Sequence, residues 1–162
     1  MWNRALVVLS GLVCVLCACD QVAMAASQTC HPSPTVQAKA PSEPGVDPLR
    51  GSWYTNPDRT IWAMHMYPWQ AGVGDKVPWI RPAGARLVIT GCRLDGLSPP
   101  LRAQVPCCYL SAFQATGMEF PTAGCWEVTA KAGGRVLRFV TEVVPKQVAR
   151  KERYLGGTPS KI

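Results

Sequence analysis

Histidine is nearly missing from this chain, with two residues in 162, and its scarcity limits the chemistry within reach. One of the pair, His31, falls in a proline-rich stretch, so a Ser-His-Asp relay has too few members to assemble in a folded body. Beyond residue 25 there is no Cys-x-x-Cys, and neither a His-Glu-x-x-His helix nor a glycine-rich phosphate loop occurs anywhere. Asp58, Asp75 and Asp95 sit in turn contexts, where a carboxylate caps local backbone N–H groups without acid–base work. Asparagine is scarce, long helix-period runs are missing, and no segment of 20 to 50 residues recurs, which excludes helical bundles and repeat arrays. What remains is a chain rich in proline and glycine, the composition of short strands joined by turns.

A formal charge of +7 would ordinarily point to nucleic acid or an anionic surface. Its location weakens that reading. Lys146, Arg150, Lys151, Arg153 and Lys161 stand against Glu152 alone in the last residues, so much of the excess belongs to a solvated basic tail at 146–162. Basic and aromatic residues do not interleave as they do in single-strand binders, and no nucleic-acid partner is expected.

The start of the chain reads as an export signal over residues 1–25: Arg4 supplies one positive charge, and Ala5 to Cys19 is almost continuously apolar. The run is too short to be a permanent bilayer span. Two processing sites compete. Leu16-Cys17-Ala18-Cys19 resembles the bacterial lipobox, which would make Cys19 the lipidated first residue; Ala23-Met24-Ala25 resembles an ordinary signal-peptidase site, with cleavage after Ala25. The lipobox is preferred, giving a membrane partner through a lipid anchor, and a soluble periplasmic or secreted form is the alternative. Residues 26–50 follow, with Pro32, Pro34, Pro41, Pro44 and Pro48 and few sizeable apolar side chains, and are expected to form a disordered tether.

From Gly51 the chain turns aromatic, and residues 51–145 are expected to fold as one small all-β sandwich. Strands are expected at Ile61 to Met66, Val77 to Arg81, Arg86 to Leu94 and Tyr109 to Ala115. The strongest signal is a hairpin. Trp126, Val128 and Ala130 alternate with Glu127, Thr129 and Lys131, Gly133-Gly134 makes the turn, and Leu137, Phe139 and Val143 face inward until Pro145 ends the strand. Between them, Pro99-Pro100 and Pro106 make the stretch after Asp95-Gly96 irregular or an edge.

Gly91-Cys92-Arg93-Leu94-Asp95-Gly96, Pro99-Pro100-Leu101, Phe113-Gln114-Ala115-Thr116-Gly117, Phe120-Pro121 and Gly124-Cys125-Trp126-Glu127-Val128-Thr129 together resemble an uncharacterised family of bacterial exported proteins, some of them lipoproteins, over roughly residues 53 to 144. The resemblance implies an exported β-sandwich and carries no assigned activity. Phe-x-x-x-Gly-x-Trp-x-Val before a hairpin is also similar to the last two strands of immunoglobulin-like modules, a likeness of fold alone.

Five cysteines follow the signal: Cys30, Cys92, Cys107, Cys108 and Cys125. In an oxidising compartment they are disulfide candidates, and the sequence by itself does not fix the pairing. Because the proline-broken segment after Cys92 has little apolar content, a clip from Cys92 or Cys125 to Cys107 or Cys108 is expected, with Cys30 the odd thiol out in the tether. Met64-His65-Met66 carries donors that suit copper, but on a strand the methionines share one face and the histidine takes the other, so core methionines beside a surface histidine are expected and a metal site is the weaker alternative. The tryptophans are expected in the core. Trp69, beside Gln70 in a glycine-rich loop, is the aromatic most suited to exposure and to contact with a protein or glycan partner. The sequence is best read as a non-catalytic, exported binding or envelope-structural module, with no enzymatic activity and no cofactor. A periplasmic copper-handling protein is the alternative and a small hydrolase the third.

Overall fold

The computed structural model of the protein describes residues 29–42, 47–107 and 109–147. The export signal with Cys19, Cys108 and the basic tail after Gln147 lie outside the described residues. The strands are β1 (Val36–Lys39), β2 (Arg50–Thr55), β3 (Trp62–Met64), β4 (Trp69–Gln70), β5 (Gly74–Ile80), β6 (Val88–Arg93), β7 (Arg102–Gln104), β8 (Phe113–Glu119), β9 (Gly124–Ala132) and β10 (Arg135–Val144). They form a six-stranded sheet in the order β1-β2-β3-β5-β8-β7 and a four-stranded sheet in the order β4-β10-β9-β6. All pairings are antiparallel except β4 with β10. The two sheets pack face to face, and the all-β sandwich expected from the alternation is the fold.

The β9–β10 hairpin forms as its pattern requires. Arg135 pairs with Ala132 across a two-residue loop, and Gly133 and Gly134 have φ of 54° and 74°, the positive values that a tight hairpin turn needs and glycine adopts without strain. Its inward side chains Trp126, Val128, Ala130, Leu137 and Phe139 meet Val77, Trp79 and Met118 of the other sheet in one apolar core. Tyr54 of β2 stacks on Phe139 of β10, with centroids 4.0 Å apart. Trp69, Phe120 and Trp126 follow as two edge-to-face contacts at 5.2 and 5.4 Å. Each such pair contributes about 0.5–1.5 kcal/mol beyond the area it buries.

A second apolar cluster lies on the other face of the six-stranded sheet. Trp53, Trp62 and Ile80 are buried there with Ala40, flanked by Val36, Ala38 and Met64. This explains why Trp53-Tyr54, Trp62-Ala63 and Trp79-Ile80 are adjacent apolar pairs: both faces of these strands are covered, so alternation gives way to continuous hydrophobicity.

The expected disordered tether at 26–50 needs correction. Residues 36–39 are a strand at the edge of the six-stranded sheet, paired from Val36↔Trp53 to Lys39↔Arg50. Just before it, Ser33 N–H donates to Val140 O at 2.8 Å, and Val140 N–H donates to Ser33 Oγ, also at 2.8 Å. Proline content is compatible with this placement because an edge strand needs ladder donors on one side only. The segment thus runs from β10 of one sheet to β2 of the other and straps one open side of the sandwich.

The expected clip within 92–125 is also corrected. Cys125 is bonded to Cys30, with α-carbons 5.3 Å apart and a separation of 95 positions in sequence. Cys125 alternates with Trp126 and so points to the outer face of its sheet, where the strap delivers Cys30. Cys107 is itself disulfide-bonded, and Cys92 stands half-buried on β6 opposite Glu127. What holds the proline-broken segment is β7 pairing with β8, the burial of Leu101 and a set of side-chain hydrogen bonds described below.

Candidate functional site

The strap covers the side of the sandwich where β1 and β10 approach. On the opposite side the edge strands are β6 in one sheet and β7 in the other, and between them lies a groove of about 650 Å³. This is within the size range of ligand pockets, roughly 300–1,000 Å³. Its apolar surface comes from Leu87 and Ile89 on one wall and Ala103 and Val105 on the other. Arg81, Gln114, Arg86 and Tyr109 supply the polar groups.

Arg81 follows the last residue of β5, and its side chain is almost wholly buried, at 2% exposure. Nε donates to Gln114 Oε1 at 2.8 Å, Nη1 to Pro82 O at 2.9 Å and Nη2 to Tyr109 O at 2.9 Å. Gln114 is fixed in turn, its amide donating to Pro106 O at 2.6 Å. Through these bonds Arg81 ties the segment after β7 to β5 and β8. All its acceptors are neutral, and among the described residues no carboxylate pairs with it. Burial pulls its pKa down, yet a guanidinium remains protonated at any physiological pH, so the groove wall carries a buried, uncompensated cation. Such an arrangement is costly unless an anion completes it. Exposed Arg86 adds a second positive charge at the mouth.

The backbone of β6 adds a further feature. In an antiparallel pair each residue turns both its N–H and C=O to the same side, alternately toward and away from its neighbour. Gly91 O accepts from Leu101 N–H at 3.1 Å, so Gly91 faces away from β9, and Ile89, two residues earlier, faces the same way. Apart from the Gly91–Leu101 bond, among the described residues no backbone pairing joins β6 to β7, and the Ile89 N–H and C=O line the groove.

The residues singled out from sequence fall elsewhere. Trp69, expected to be exposed for a partner, is buried at 1%, because its parallel pairing with Val143 of β10 brings it into the inter-sheet core against Phe120. Its near neighbour Tyr67 is instead exposed, at 66%. Met64, His65 and Met66 are sorted to separate surroundings: β3 ends at Met64, which packs on the outer cluster, while Met66 packs on the inter-sheet core. His65 is half-buried, with its ring 5.1 Å from that of Tyr54 and 5.7 Å from that of Tyr67, and burial lowers its pKa. The surface histidine expected beside two methionines on one face is therefore corrected, since the strand stops before the period can continue. Arg81 and Gln114 were not singled out from sequence. The available signals were an arginine directly after Trp79-Ile80 and a glutamine in phase with inward Thr116 and Met118.

No family model matches the chain, and the curated proteins contain no match to it. Among solved structures, the chain is similar to an X-ray crystal structure of a putative lipoprotein from Bacillus anthracis, at 18% identity and a TM-score of 0.40, covering 67% of this chain and 86% of that one.

Proposed function

We propose that the protein is an exported, non-catalytic binding module held at the cell envelope, and that its ligand site is the groove between β6 and β7. The observation that carries the proposal is the asymmetry of the sandwich. One side is strapped by residues 29–39 and fastened by Cys30–Cys125, while on the other apolar core residues, a strand edge and a buried cation line one groove together. A disulfide linking the strap to β9 suits an oxidising compartment, in keeping with the export signal and with lipidation at Cys19. A rigid scaffold with a concave, mostly apolar site and a few convergent polar groups is the usual build of a binding site. His65, packed edge-on to the Tyr54 ring and half-buried, fits a non-catalytic role.

Two experiments test this. Labelled palmitate incorporated in the wild type and lost in Cys19→Ala supports the anchor, and a mature chain beginning at Ala26 without lipid contradicts it. Amide NMR of the folded domain, titrated with short apolar peptides, should shift Leu87, Ile89, Ala103 and Val105 together. Shifts confined to other surfaces would reject the groove as the site.

A further inference from the structure

On the reading that the groove is the ligand site, we infer that its ligand is an extended polypeptide end, whose backbone pairs with the β6 edge at Ile89 and whose C-terminal carboxylate is received at Arg81. Three features of the groove converge on this chemistry. The Ile89 N–H and C=O point away from β9 into the groove, which is the arrangement that lets an added strand continue a sheet. Leu87, Ile89, Ala103 and Val105 offer apolar contact to alternate side chains of such a strand. Arg81 is a buried guanidinium whose acceptors, Gln114 Oε1, Pro82 O and Tyr109 O, are all neutral, and a planar carboxylate is the anion that its fork geometry fits best.

The parts are also ordered correctly along the groove. Arg81 and Arg86 lie on the connection leading into β6, so a carboxylate held there leaves the preceding residues of the ligand running along Ile89 toward Gly91. That course ends where Leu101 N–H already occupies Gly91 O, which limits the added strand to a few residues. An apolar chain with a carboxylate but no backbone, such as a fatty acid, would use the charge and the walls and leave the strand edge unused.

The experiment is an amide NMR titration of the oxidised domain with the acetylated pentapeptide Val-Thr-Val-Thr-Val as its free acid, with the same peptide as its C-terminal amide, and with decanoate. The inference expects the free acid to bind about ten- to a hundred-fold more tightly than the amide, the range of a charge-assisted hydrogen bond, and to move the Ile89 amide. Arg81→Met should erase the difference between acid and amide. Because Arg81 also holds the segment at Pro106 and Tyr109, a second variant, Ala103→Trp, fills the groove from β7 and should abolish binding in a protein that melts like the wild type. Equal affinity for acid and amide in the groove overturns the carboxylate assignment and leaves the groove as a site. Decanoate binding where neither peptide does overturns the strand pairing. No groove shift with any of the three overturns the inference and the reading beneath it.

Discussion

Tyr54 lies flat on Phe139, with rings 4.0 Å apart and 8° from parallel, and its hydroxyl donates to Thr141 Oγ1 at 3.3 Å, so one side chain of β2 contacts β10 through both its apolar face and its polar tip. This contact joins the two sheets near the strapped side. Tyr54→Phe keeps the ring and should cost about 1 kcal/mol in urea unfolding, the net value of one hydrogen bond. Tyr54→Ala removes the stacked ring as well and should cost about 3–5 kcal/mol, as large-to-small changes at buried aromatics do. Equal losses for the two variants would show that the ring contact contributes nothing.

The strap should depend on its disulfide. With Cys30 and Cys125 separated by 95 positions, chain entropy gives an upper value of about 4.7 kcal/mol for the bond. Replacing both cysteines by serine should lower stability by about 2–5 kcal/mol and expose Lys39 to trypsin before the rest of the domain. Non-reducing peptide mapping should recover the Cys30 and Cys125 peptides joined; a Cys125 peptide joined to Cys92 or Cys107 instead would contradict the strap.

Gly124 has φ of 137°, and a β-carbon there would come 2.5 Å from Arg93 Nε and 2.6 Å from Asp95 Oδ1. Those two groups bond each other at 2.6 Å and support the turn after β6. Gly124→Ala therefore strains the backbone and displaces the pair, with an expected loss of about 1–3 kcal/mol. Gly134→Ala, where a β-carbon would meet open space, should cost less, and a denaturant series on both variants makes the comparison.

Burial of His65 lowers its folded pKa, so the unfolded chain binds a proton more readily than the folded one. The contribution is absent well above the ordinary histidine value of about 6.5, and stability falls as pH drops below it toward the folded value. His65→Gln should flatten the stability profile between about pH 7 and 5. An unchanged slope in that variant would assign the acid sensitivity to other groups.

The hairpin, the strand expected at Arg86 to Leu94 and the edge character of the proline-broken segment were legible because period-two alternation, turn glycines and prolines are local signals. β1 was not. Val36–Lys39 has no core side chain of its own to announce a strand, and its pairing with β2 is secured by Ser33 at Val140 and Cys30 at Cys125, contacts that span about a hundred residues. Trp69 misled for a similar reason: its two-residue strand forms only because β10 is there to pair with it. The groove was illegible because it is a gap between sheets. Arg81 and Gln114 read as ordinary polar residues until β5 and β8 place them side by side.

The central claim is that β6 presents an open, hydrogen-bonding edge in the groove, and amide hydrogen exchange at single-residue resolution tests it without knowledge of the ligand. Val88 and Thr90 face β9 and should exchange slowly. The Ile89 amide, between them in a residue only 7% exposed, should exchange much faster because among the described residues no strand pairs with its N–H. If Ile89 is instead protected as strongly as Val88 and Thr90 in the free protein, the edge is already paired and the account of the groove as a binding site is contradicted.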